Sequence, residues 1–189
     1  MNPEQALKQL MDGNLRYQQE MLLHPNRGKE ARICAANGQN PFAIILGCSD
    51  SRVAPELIFD QGIGDLFVVR VAGNVAGAVE LDSIVFSATY LKSSIIMVLG
   101  HQSCGAIQAM INGQTQDIES IASLIAPSLE LARTQEGSLI ENTVKDNVLY
   151  VVSELKKSPA LAKLIHEKQI DVVGGYYDFH SGAVELVKN

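Results

Sequence analysis

The sequence predicts an α/β fold: an open, mainly parallel sheet of four to five strands flanked by helices, with an N-terminal helical arm. Three observations carry that expectation. Short runs rich in Ile and Val recur at residues 42–47, 66–72 and 94–100, with glycine at or just beyond their C-terminal ends, as strands buried on both faces read. The segment between the second and third runs follows a helical rather than an alternating pattern. The composition, 47% hydrophobic and 19% charged over 189 residues, is that of an ordinary globular chain with enough apolar mass for one core.

The elements follow in order. Residues 3–22 place Ala6, Leu7, Leu10, Met11, Leu15 and Leu22 at helical spacing, and His24-Pro25-Asn26-Arg27-Gly28 breaks the pattern. Residues 77–91, with Val79, Ile84, Phe86, Ala88 and Leu91, read as a crossover helix. Beyond Cys104 the pattern is mostly helical as far as Lys168. Val144, Val148, Val151, Val152 and Leu155 form an apolar stripe there, on a helix expected to be capped by Asn142. Residues 170–175 and 183–187 read as two final strands joined by a turn at 178–182. With no repeat, low-complexity tract or linker in view, one domain is expected over residues 1–189: an arm at 1–40, then the sheet core and C-terminal helices at 41–189.

Several function classes drop out. The net charge is −6, and no basic cluster exceeds the pair Lys156-Lys157, so the footprint of a nucleic-acid binder is missing. The apolar runs fall well short of the roughly 20 residues that span a bilayer. The N-terminus shows no basic segment followed by an apolar one, so no secretory signal is read. Three cysteines, an odd number, argue for reduced thiols and a cytoplasmic location rather than a disulfide framework.

Two of those thiols carry the chemistry. Cys48 follows the first apolar run, and His101 and Cys104 follow the third. In an open α/β sheet, strand ends of this kind converge on one crevice. One imidazole and two thiolates suit Zn²⁺ and leave a tetrahedral position open, as a catalytic site needs. His101 and Cys104 sit where a strand passes into a helix, whose N-terminal dipole favours a thiolate. Asp50 and Arg52 add an acid and its two-pronged counter-ion beside the metal. Asp50 can then orient a metal-bound hydroxide, or leave Arg52 and take the fourth position on zinc. By contrast, Cys34 has no ligand-type neighbour, His24 and His180 fall in turns, and His166 lies near a helix end; all four are expected to be bystanders. Gly62, Gly64, Gly73 and Gly77 match neither a dinucleotide nor a Walker loop.

The run Gly47-Cys48-Ser49-Asp50-Ser51-Arg52-Val53, the stretch from Gly64-Asp65-Leu66 to Ala72-Gly73-Asn74, and Gly100-His101-Gln102-Ser103-Cys104-Gly105-Ala106 together resemble the beta-class carbonic anhydrases. The resemblance reaches from Ala6-Leu7 to Gly174-Gly175-Tyr176-Tyr177-Asp178, nearly the whole chain. It implies one zinc per chain on Cys48, His101 and Cys104, with Asp50 and Arg52 as catalytic dyad. It also implies a homodimer or dimer of dimers with the arm packed on the partner. The implied reaction is reversible hydration of carbon dioxide to bicarbonate and a proton by zinc-bound hydroxide, with activity rising toward alkaline pH. Gln61 and Gly105 are the residues it places against substrate. Ala54 and Val71 stand where many members carry proline and asparagine. One subgroup of the family closes its zinc site with the aspartate and binds regulatory bicarbonate through a Trp-Arg-Tyr trio. Arg70 and Tyr177 match two of the three, but Ile45 stands at the tryptophan position, so an open site is expected. The alternatives are a carbon disulfide or carbonyl sulfide hydrolase on the same fold, and a zinc-binding or redox-sensing protein without turnover.

Overall fold

The computed structural model describes residues 1–188; Asn189, the last residue of the expected domain, lies outside the described residues. Five strands form one sheet in the order β2-β1-β3-β4-β5: β1 Ala43–Gly47, β2 Leu66–Arg70, β3 Ile95–His101, β4 Asp171–Tyr177 and β5 Val184–Val187. The first four are mutually parallel, and β5 returns antiparallel to β4. The expected architecture is what forms.

Period-two alternation distributes the apolar side chains of each strand to opposite faces. Ile44 and Leu46 of β1, Ile96 and Val98 of β3 and Val172 of β4 face one layer, where Ile84, Val148, Val151, Leu155 and Leu161 meet them. Those partners belong to α4 (Ala78–Phe86), α7 (Leu139–Lys157) and α8 (Pro159–His166). Ala43, Ile45, Ile95, Met97 and Leu99 face the other layer, packed by Ala6 and Leu10 of α1 (Pro3–Gln18) and Ile58 of α3 (Pro55–Ile58). Two layers of core, one on each face, are why the strands read as continuous hydrophobic runs.

Three expectations need correction. The arm helix stops at Gln18 rather than near Leu22: Glu20 turns left-handed at φ 56° and the Met21 N–H closes back on the Arg16 carbonyl, a C-terminal cap. Ser138, not Asn142, caps α7, its hydroxyl accepting from the Glu141 N–H, while Asn142 bonds the Glu136 carbonyl. The apolar stripe begins a turn inside the helix, so the pattern placed its start too late. On α4, Ile84 turns inward but Val79 and Phe86 face outward; beyond α4 the chain widens into a π turn at Ser87–Leu91, where Ala88 is buried, and ends with Lys92 left-handed.

The arm is docked by polar contacts as well as apolar ones. The Asn14 amide donates to the carbonyls of Ile58 and Gly182 and accepts the Val184 N–H, tying α1 to both α3 and β5. Gly13 lies so close to α3 that a Cβ there would stand 1.9 Å from the Phe59 carbonyl oxygen. Only glycine permits that approach.

Candidate metal centre

The order β2-β1-β3 means that the chain leaves β1 in one direction and later crosses back to place β3 on its other side. A crevice opens at such a reversal, at the carboxyl ends of the two strands. Cys48 follows the last residue of β1, and His101 is the last residue of β3. Cys104 caps α5 (Gly105–Ile111), three residues further on. One ligand atom from each of these three buried residues lies within 4.8 Å of the others, and among the described residues this is the one such group.

The tautomer and charge of each group suit a cation. His101 Nδ1 lies 2.9 Å from the Gln102 carbonyl oxygen, so it carries the proton and leaves Nε2 with a lone pair. Nε2 is buried and has no hydrogen-bond partner. An orphaned buried nitrogen is costly unless something binds it, and a metal ion in contact with both sulfurs would do so. Cys48 Sγ accepts the Gly73 N–H at 3.3 Å. Its pKa is lowered, first by the Cys104 thiol donating to it and then, against the opposing effect of burial, by backbone N–H groups. Cys104 shifts upward, because it donates to Cys48 and is buried, although the N–H groups of Ala106 and Ile107 at the start of α5 pull the other way. A divalent ion in contact with both sulfurs would let both ionise.

Asp50 and Arg52 form the expected fork. Arg52 Nε and Nη2 reach the two carboxylate oxygens at 2.9 and 2.7 Å, and the Arg52 backbone N–H also donates to Asp50. That side-chain pairing, helped by the backbone bond, holds the Asp50 carboxyl well below the usual carboxylate range despite partial burial. Asp50 Oδ2 stands 3.9 Å from His101 Nε2, so the carboxylate borders the point that the three ligand atoms face, while remaining on Arg52.

The loop carrying this pair is held from β2. Arg70 Nε donates to the Cys48 carbonyl at 2.9 Å and Nη2 to the Asp50 carbonyl at 2.6 Å. Tyr177 meets the Tyr17 hydroxyl at 3.2 Å, and Ile45 is wholly buried under α1. Gly105 stands at the open start of α5, with nothing within 4 Å of where a Cβ would be. Gln61 is placed elsewhere: its amide donates to the Phe59 carbonyl at 2.8 Å beneath Gly13, and it makes no hydrogen bond to the ligand set. Cys34 is exposed, and His24 pairs with Arg27.

Gly73, in the Ala72-Gly73-Asn74 stretch, turns left-handed at φ 73° to aim its N–H at Cys48, and a Cβ there would stand 3.0 Å from Ile125 Cδ1. One contributor escapes sequence reasoning. Asn147, buried on α7, donates to the Gly73 carbonyl at 2.9 Å and holds that turn. It has no local signal, because its partner is distant in sequence.

Fold and site together define an α/β protein with a Cys₂His cluster able to hold a metal ion at a sheet crevice. Residues 43–184 match the family described as carbonic anhydrase. The chain is 38% identical over 192 aligned residues to a carbonic anhydrase of Mycolicibacterium smegmatis, covering 98% of this chain and 93% of that one. It is likewise 38% identical to carbonic anhydrase 2 of Mycobacterium tuberculosis, with the same coverage. A solved structure, that of the beta-carbonic anhydrase CcaA, superposes with a TM-score of 0.77 at 25% identity over 97% of this chain and 92% of its own. The chain belongs to the carbonic anhydrase family, in its beta class.

Proposed function

We propose that this chain is a zinc-dependent carbonic anhydrase, interconverting carbon dioxide and bicarbonate at Cys48, His101 and Cys104, with Asp50 and Arg52 as its catalytic pair. The observation that carries the reading is the convergence of the three ligand atoms within 4.8 Å beside a carboxylate held ionised by a two-pronged arginine. Zinc bound there would supply a Lewis acid that lowers the pKa of water toward about 7.

The chain's own residues do the rest. Two thiolates and a neutral imidazole balance the divalent charge. Asp50 accepts a hydrogen bond from the reacting water and fixes which lone pair faces the carbon of the substrate. Arg52 keeps that carboxylate charged and prevents its rotation. The space beside Gly105 leaves room for a substrate oxygen, so Gly105 is kept as a substrate contact, and Gln61 is kept as a second such residue, its amide bonded to the Phe59 carbonyl within its own chain.

An assembly of two chains, or of two such pairs, accords with the surface. β2 is an edge strand, and Phe67, Phe86 and Tyr90 form a run of rings beside it, with Tyr90 72% exposed. An open edge flanked by aromatic surface suits burial against a second copy. No helix among the described residues is long and apolar enough to cross a membrane, and three free thiols accord with a cytoplasmic setting.

Stopped-flow hydration of carbon dioxide by the zinc-loaded protein, run beside sulfide release from carbon disulfide, tests the function. Rapid hydration supports it. Sulfide release without hydration would transfer the assignment to the hydrolase, and neither activity would leave a metal-binding or redox protein.

A further inference from the structure

The turn between β4 and β5 contributes a side chain that no motif singled out. Phe179 places its ring face 4.4 Å from the Arg52 guanidinium carbon and its centroid 5.6 Å from that of His101, edge-on. It also meets Tyr177 edge-on at 5.3 Å. One ring thus touches both a ligand candidate and the arginine of the dyad.

The ring has little freedom. Asp178 Oδ1 accepts from the N–H groups of His180 and Ser181 and from the Ser181 hydroxyl, and the Asp178 N–H bonds the Ala183 carbonyl, closing the turn. The Phe179 N–H reaches Gln102 Oε1 at 3.3 Å, and His180 Nδ1 approaches the same oxygen at 3.1 Å. The backbone N–H of Gln102 bonds the Tyr177 carbonyl, and its own carbonyl faces His101 Nδ1. The turn and the ligand imidazole are therefore linked through Gln102.

Arg52 needs such support. Its side chain is 53% exposed, and an exposed ion pair is weak because water screens it and the long side chain loses freedom. Beyond Asp50, its side chain has one more hydrogen bond, from Nη2 to the Ser103 carbonyl at 3.4 Å. An aromatic face attracts a guanidinium and restricts its plane.

We propose that Phe179 is a positioning residue of the reaction: its ring face fixes the plane of Arg52, and through Arg52 the orientation of Asp50. This rests on the proposed function, since the orientation matters only if Asp50 acts on a reacting water.

The test compares Phe179→Leu, which removes the face but keeps apolar bulk, with Phe179→Tyr, which keeps the face. Zinc content and carbon dioxide hydration are measured for each. Phe179→Leu is expected to retain zinc and lose about tenfold in kcat/KM, while Phe179→Tyr stays within about twofold of the parent. Equal activity in all three, equal loss in both variants, or zinc loss from Phe179→Leu would overturn the proposal. A second reading needs no activity. The chain has no tryptophan, so Phe179→Trp introduces a sole fluorophore. Its emission is expected to change when Arg52→Ala is added, and unchanged emission would overturn the stacking even if Phe179→Leu failed to fold. A parent without hydration activity would instead sink the proposed function, leaving the fluorescence result to judge the contact.

Discussion

Asp50 with Arg52 and Asp60 with Arg16 are the same chemical pair in two surroundings. The first joins residues two apart, with the carboxylate side chain 14% and the guanidinium 53% exposed. The second joins residues 44 apart, at 2.8 Å, with Asp60 fully buried and Arg16 27% exposed. Asp60 also accepts the N–H groups of Leu23 and His24, so one carboxylate holds both α1 and the chain that follows it. Where water reaches a pair, the attraction is screened and its worth lies in orientation. Where water is excluded, removing one partner leaves a buried charge unanswered.

That contrast can be broken in graded steps. The largest effect is expected from Asp60→Ala: it strips Arg16 and the N–H groups of Leu23 and His24 of their common buried acceptor, for about 1–3 kcal/mol per donor left unsatisfied. Urea unfolding should show the loss, while the folded fraction retains its zinc. Asp50→Ala should do the reverse, keeping zinc and the unfolding midpoint but losing roughly a hundredfold in kcat/KM, the lower range for a lost proton-handling group. Full activity in that variant would remove Asp50 from the mechanism. Asn147→Ala falls between the two types. It leaves the Gly73 carbonyl buried without its donor, for about 1–3 kcal/mol, and loosens the N–H aimed at Cys48. Competition with a chelator should show zinc held on the order of tenfold more weakly.

The smallest effect concerns acid. Burial raises the Asp60 carboxyl, but Arg16 and the two N–H groups outweigh it, and the pKa ends below the ordinary value. A depressed folded pKa contributes stability that is complete above the unfolded value of about 3.9 and is lost as pH falls through the lower folded one. The arm should therefore remain docked through mildly acidic solution and loosen only below about pH 4. Hydrogen exchange across α1 as a function of pH measures this, and loosening near pH 6 would contradict it.

The same two regions show what a sequence reveals. Cys48, His101 and Cys104 were legible because each follows an apolar run that ends at a sheet's carboxyl edge, and the topology then brings those edges together. Asp50 and Arg52 were legible because their partnership is local. The Asp60–Arg16 clamp was not, since its partners share neither an element nor a spacing rule. Phe179 and Asn147 escaped for the same reason: each acts across more than 70 positions, through contacts that exist only once the sheet has formed. Gln61 shows the converse. The family resemblance suggested a substrate contact for it, whereas its bond to the Phe59 carbonyl beneath the arm had no sequence signal.

Elemental analysis of zinc-reconstituted protein decides whether Cys48, His101 and Cys104 hold the metal, applied to the parent and to Cys48→Ser, His101→Ala and Cys104→Ser. Close to one zinc per chain is expected in the parent, with loss of the metal from each of the three variants. A parent that retains no zinc, or a variant that keeps its full complement, would contradict that assignment.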